Sequence, residues 1–113
     1  MDAGAVIAAL EHVTGTKLEV NCGKPSPVML NTIMNAIGLD NHQCVTTGDR
    51  LYTEIRMGIE SGMDTALVFT GETSPAMLAD YHQEGRPTYA LDRIDRLIPE
   101  SYWKEFGWDP EEG

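Results

Sequence analysis

Positive charge is scarce in this 113-residue sequence: eight Lys and Arg residues stand against eighteen Asp and Glu, for a formal net charge of −10. The lysines are Lys17, Lys24 and Lys104 alone. Such a chain has no basic surface with which to neutralise a phosphate backbone, which excludes nucleic acid as an expected partner. No apolar run approaches the ~20 residues that span a bilayer, so no membrane partner is expected either. The opening Met1-Asp2-Ala3-Gly4 carries no basic region, and the expectation is that no secretory leader is present. Cysteine is nearly absent. Cys22 and Cys44 form no C-x-x-C pair and have no histidine at ligand spacing, which excludes a disulfide framework and a Cys/His metal site. Each reads as a buried reduced thiol, and the chain as cytoplasmic.

What is present is a hydrophobic fraction of 42%, enough for one domain with a modest core. The periodicity predicts a helix over Ala3 to Val13, with Val6, Ile7, Leu10 and Val13 on one face and Gly15 as its stop. Leu18 to Cys22 reads as a short strand. Ser26-Pro27 opens a second helix: the serine can cap free amides, and proline suits a first helical position that needs no amide hydrogen. Leu30, Ile33, Met34 and Ile37 form its apolar stripe, and Gly38 ends it. Gln43 to Thr47 is a strand candidate, followed by a helix from about Thr53 to Ser61. Thr65 to Thr70 is the clearest strand, apolar enough to be covered on both faces. Ser74-Pro75 opens a helix to about Gln83, Thr88 to Ala90 is a last short strand, and Asp92 caps a short helix ending near Ile98.

Strands alternating with helices across short connections imply an α/β fold with a parallel sheet and right-handed crossovers. In such sheets the chemistry gathers at the carboxyl ends of the strands. Two polar loops fall there, Gly48-Asp49-Arg50 and Thr70-Gly71-Glu72. The methionines read as core filler, His12, His42 and His82 as surface residues, and the tail aromatics Tyr102, Trp103, Phe106 and Trp108 as packing back onto the domain.

Two segments can carry chemistry. Lys24 lies in Gly23-Lys24-Pro25-Ser26-Pro27, just before a helix, where a compact ammonium can hold a phosphate oxygen or a carboxylate. For a lone lysine, simple solvation explains the position as well. Asp49 directly follows a strand and Glu54 lies in the first turn of the next helix. A carboxylate at a strand end suits a hard cation such as Mg2+, which takes oxygen ligands. Turn formation and helix N-terminal charge are the structural alternatives.

Taken together, Gly23-Lys24-Pro25-Ser26-Pro27 and Val45-Thr46-Thr47-Gly48-Asp49-Arg50-Leu51-Tyr52-Thr53-Glu54-Ile55 resemble the third and fourth motifs of the haloacid dehalogenase (HAD) superfamily. The likeness is greatest to NagD-like, class IIA phosphatases. Gly58-Ile59-Glu60-Ser61-Gly62-Met63 and Thr65-Ala66-Leu67-Val68-Phe69-Thr70-Gly71-Glu72-Thr73 extend it, so that it covers roughly residues 3 to 98. The resemblance implies a Rossmann-like, three-layer α/β/α core. It implies a phosphatase acting on a small phosphorylated metabolite, such as a sugar phosphate or phosphoglycolate, through an aspartyl-phosphate intermediate and Mg2+. It makes Lys24 the catalytic lysine that orients phosphate and nucleophile, and Asp49 a metal ligand. Glu54 stands where relatives usually carry an aspartate, and its extra methylene would shift a water-mediated metal contact.

The sequence departs from the family in one large respect. Nothing before Lys24 resembles the Asp-x-Asp-Gly strand that carries the family's nucleophile. Ala3 to Val20 resembles the end of the cap domain instead. The expected organisation is therefore a cap remnant over residues 1–20 and the C-terminal half of the hydrolase core over residues 21–113. Without the nucleophile strand, Gln43 to Thr47 would be left as an open edge. From this follow the expectations that the chain alone is inactive, and that it self-associates or takes a complementing N-terminal half. A non-catalytic interaction module built on the same half-fold is the alternative reading.

Overall fold

The computed structural model describes residues 3–108. A 12-residue helix, α1 (Ala3–Thr14), comes first, and Gly15 ends it with a φ of 67° that favours glycine. Its apolar face exists as the periodicity predicts, but none of its residues is buried. The segment after it is not a strand: residues 18–22 have no ladder partner, and Leu18 and Val20 are exposed. A strand needs a neighbour to satisfy its backbone, and none of the three strands present reaches this segment. The radius of gyration is 17.5 Å, with a longest extent of 58 Å. A compact domain of this length would have a radius of about 13 Å.

Helix α2 (Pro27–Ile37) begins as the Ser-Pro pair predicts, with the Ser26 hydroxyl accepting the Val28 amide at 3.2 Å. It ends at Gly38, whose amide donates to the Met34 carbonyl at 2.9 Å. Of the predicted stripe only Leu30 is buried. Met34 is half-covered, while Ile33 and Ile37 stay exposed. Leu30 packs with Met57 and Met63, with Met34 and Cys44 against them.

Three parallel strands follow in the order β1-β2-β3, namely β1 (Val45–Gly48), β2 (Asp64–Val68) and β3 (Tyr89–Leu91). The register pairs Gly48 with Leu67 and Val68 with Leu91. This is part of a Rossmann-like α/β sheet. β2, in the middle, is buried from Thr65 to Val68, which agrees with its apolar run. β1 has a neighbour on one side only among the described residues, and Val45 is exposed. Ahead of β3, the Thr65 amide donates to the Thr88 hydroxyl and the Thr88 amide to the Thr65 hydroxyl, both at 3.0 Å. This reciprocal pair lies toward the amino ends of β2 and β3 and carries their pairing beyond the ladder.

Between β1 and β2 the chain makes a π-helical turn (Leu51–Ile55) that runs into α3 (Arg56–Ser61). The helix thus starts two residues before the expected Thr53. Leu51, Ile55 and Leu67 form a second buried cluster, with Ile59, Phe69, Leu78 and Tyr81 packed against it. Ile55 and Leu67 have no exposed surface, and each such side chain contributes about 1.5–3 kcal/mol. Gly58 is required here: a Cβ on it would lie 2.4 Å from the Thr65 methyl.

Helix α4 (Pro75–Ala79) starts on Ser74, whose hydroxyl accepts the Met77 amide, but it stops at Ala79 rather than near Gln83. Arg86 donates to the Ala79 carbonyl at 2.8 Å and to the Tyr81 carbonyl at 3.3 Å, closing off the helix end. Asp92 is not a cap: the turn that follows is a short 3-10 stretch (Ile94–Leu97) with no side-chain cap bond. Of the tail aromatics only Trp103 is buried. Its indole N–H donates to the Ile98 carbonyl at 2.8 Å, and the Arg96 guanidinium lies over its ring. Tyr102, Phe106 and Trp108 keep substantial exposure, with Phe106 and Trp108 stacked on each other. Two further expectations are corrected. Cys22 is exposed rather than buried, because the expected strand around it is absent, and Met77 lies on the open side of α4.

Candidate active site

The carboxyl end of β1 gathers the predicted side chains. Gly48 is the last residue of the strand, and Asp49 and Arg50 lead into the π-helical turn that holds Glu54. The stem of Glu54 lies directly on Gly48. A Cβ built on this glycine would stand 2.5 Å from the Glu54 Cβ and 2.7 Å from its Cγ. Only a residue with no side chain lets the glutamate fold over the strand end in this way.

From there Glu54 meets Lys24. The Lys24 ammonium donates to Glu54 Oε1, and the Thr53 hydroxyl donates to Glu54 Oε2. The Glu54 side chain is 16% exposed and that of Lys24 44%. Burial pushes the Glu54 carboxyl upward. The Lys24 and Thr53 hydrogen bonds and the Lys24 charge outweigh it and hold the group below its usual range. Lys24 is brought here by the turn ahead of α2, in which the Ser26 amide bonds the Gly23 carbonyl at 2.8 Å.

Asp49 is gripped by the loop after β2. The Glu72 amide donates to Asp49 Oδ2 at 2.8 Å. The Thr73 hydroxyl and amide both donate to the Asp49 main-chain oxygen, at 2.6 and 3.2 Å. Glu72 is held in turn by Arg50 at 2.5 Å and by the Tyr52 hydroxyl at 2.7 Å. Lys24 and Asp49 thus serve the same strand end, Lys24 by way of Glu54 and Asp49 directly. Sequence reasoning placed the loops Gly48-Asp49-Arg50 and Thr70-Gly71-Glu72 here but gave no role to Arg50, Tyr52 or Thr73. Thr73, buried to 3% exposure, carries no signal in the sequence beyond its place just before the Ser74-Pro75 helix start.

The donor set fits a magnesium ion in kind. Mg2+ is typically bound through one or two carboxylates while it keeps several waters. Asp49 offers such a carboxylate. Both oxygens of Glu54 are already engaged, by an ammonium and a hydroxyl, so Glu54 is first of all the counter-ion of Lys24. Among the described residues no three His, Cys, Asp or Glu side chains cluster as a full ligand set.

The lysine, the carboxylate and their partners thus meet at the carboxyl end of a parallel strand, the place where α/β sheets gather their ligand sites. The HAD-hydrolase-like family model matches residues 21–97. Dihydroxyacetone phosphatase of Corynebacterium glutamicum (strain R) is 35% identical over 94 residues, which are 83% of this chain and 33% of that protein. The crystal structure of 4-nitrophenylphosphatase from Thermotoga maritima superposes with a TM-score of 0.76 at 34% identity, covering 85% of this chain and 36% of the other. NagD from Escherichia coli K-12 gives a TM-score of 0.74 at 28% identity over 84% and 37% of the two chains. Glycerol phosphate phosphatase from Mycobacterium tuberculosis, in complex with magnesium, gives 0.65 at 30% identity over 77% and 26%. The chain belongs to the HAD-like hydrolase family, on its NagD-like, class IIA branch. It spans about a third of the length of the curated relatives it matches.

Proposed function

We propose that this chain supplies the lysine and the magnesium-binding carboxylate of a HAD-type phosphatase for a small phosphorylated metabolite, such as a sugar phosphate or phosphoglycolate. The observation that carries this is the convergence of Lys24, Glu54 and Asp49 on the carboxyl end of β1. Bound Mg2+ would neutralise charge on the transferring phosphoryl group. Asp49 would hold it, and Lys24 would orient a phosphate oxygen once Glu54 shares the ammonium. The nucleophilic aspartate of an aspartyl-phosphate route has no counterpart among these residues, so the activity is that of this chain completed by a nucleophile-bearing segment. We assign residues 1–20 to the end of a cap and residues 21–113 to the core. The start of the family match at residue 21 and the lack of any buried residue in α1 support that division.

The test is reconstitution with a polypeptide bearing an Asp-x-Asp-Gly segment. The measurement is phosphate release from a panel of sugar phosphates and phosphoglycolate, with and without Mg2+. The 113 residues by themselves should release none. In the completed protein Asp49→Asn and Lys24→Ala should each lower kcat by on the order of 100-fold, the loss typical of one preorganised charge. Unchanged turnover in Asp49→Asn would rule out the metal-ligand role.

A further inference from the structure

We propose that Gly71, Glu72 and Thr73 form a positioning clamp that fixes the Asp49 carboxylate for metal binding, with Thr73 as its anchor. The inference rests on the proposed metal role of Asp49 and adds residues that act on the ion only through it. Two features distinguish a clamp from plain main-chain contact between the two loops. Main-chain contact alone would use bonds like the one from the Thr73 amide to the Asp49 carbonyl. The Glu72 amide, however, is spent on the side chain, at Oδ2. Gly71 lies so close that a Cβ there would stand 2.1 Å from Asp49 Oδ2 and 2.6 Å from both its Cβ and Cγ. Any other residue at position 71 would push the carboxylate away.

Thr73 completes the arrangement from below. It is buried, and its hydroxyl fixes the main chain of Asp49 while its neighbour's amide fixes the carboxylate. The clamp engages the main-chain oxygen and Oδ2 and leaves Oδ1 outside it. The carboxylate of Glu72 is tied back to Arg50 and Tyr52, so the two loops hold each other at both ends. Groups that orient a metal-ligating carboxylate by hydrogen bonding commonly change metal affinity by ~10–100-fold when removed.

The experiment uses the full 113-residue chain, isotope-labelled, with two readouts by NMR. The first is hydrogen exchange at the Glu72 and Thr73 amides without metal. The clamp predicts slow exchange at Glu72 despite its exposed position. Asp49→Ala should abolish this protection, whereas Asp49→Asn, which keeps an acceptor oxygen, should retain most of it. Thr73→Val, equal in size but lacking the hydroxyl, should speed Glu72 exchange at least tenfold, and Thr73→Ser should restore it. The second readout is titration with Mg2+ alone of the labelled chain completed by an Asp-x-Asp-Gly polypeptide, followed at the Asp49 and Glu72 amides. Thr73→Val should weaken binding about tenfold and Thr73→Ser by less than about threefold. Wild-type exchange rates at Glu72 in Thr73→Val and Asp49→Ala would overturn the clamp. So would a folded Thr73→Val that binds Mg2+ as the wild type does. If the wild type shows no Mg2+ response at Asp49, the metal reading fails, and the exchange data alone then decide whether the carboxylate is held.

Discussion

Replacing Gly48 by alanine should be costly for a strand residue. Strands disfavour glycine, so a change to alanine would ordinarily be neutral or better. Here the new methyl would stand 2.5 Å from Glu54 Cβ, 2.7 Å from Cγ and 3.0 Å from Cδ, where ordinary contact is 3.4–4 Å. The nearest of these atoms is fixed to the main chain, so a rotamer change cannot relieve the clash. The π-helical turn must move, and that turn carries Leu51 and Ile55, both buried in the second core cluster. Overpacking of this kind costs ~1–3 kcal/mol, which for a domain of this size is roughly 5–15 °C in Tm. Urea and thermal unfolding of the wild type, Gly48→Ala, Glu54→Gly and the double variant would measure it. If the clash is the cause, Gly48→Ala costs ~2 kcal/mol in the wild type and under about 0.5 kcal/mol beside Glu54→Gly. An equal loss in both backgrounds, or none in either, would refute the reasoning.

Other outcomes follow from the same contacts. Glu54 has a folded pKa below its ordinary 4.5, so the Lys24 pair adds stability above that pH and loses it as pH falls through the lowered value. Thermal melts from pH 3 to 7 should show Lys24→Met less stable than the wild type by on the order of 0.5–1 kcal/mol near neutrality, a modest figure because Lys24 is half open to solvent. The gap should narrow as pH falls below 4.5, and one as wide at pH 3 as at pH 7 would contradict the assignment. Trp103→Phe strands the Ile98 carbonyl and should cost about 1–2 kcal/mol by urea unfolding. Iodide should quench Trp108 readily and Trp103 poorly, so the Trp103→Phe variant should lose the protected fluorescence component.

The legible parts of the sequence were those in which one residue type has one physical job. Ser26-Pro27 and Ser74-Pro75 marked helix starts, Gly15 and Gly38 marked helix ends, and the apolar run around Leu67 marked the central strand. Illegible were features that depend on a partner distant in the chain. Leu18 to Cys22 has the composition of a strand and, among the described residues, no strand to pair with. The face of α1 has the period of a buried helix, yet none of its residues is buried among the described residues. At the site, Lys24, Asp49 and Glu54 were named from motifs, yet the contacts among them turn on glycines. That Gly48 and Gly71 are needed as gaps for the two carboxylates is a tertiary fact with no local signature. The π-helical turn was missed for a similar reason: an extra residue in one turn leaves the apolar spacing almost intact.

The reciprocal Thr65–Thr88 bonds lie at the opposite end of the sheet from the Lys24–Glu54 and Arg50–Glu72 ion pairs. One end of β2 is thus held by two neutral hydroxyls, and the other delivers a loop full of charge. Such a division of labour separates what keeps the strands in register from what meets a ligand. The charged tip can change its residues while the seam beneath it goes on aligning the strands.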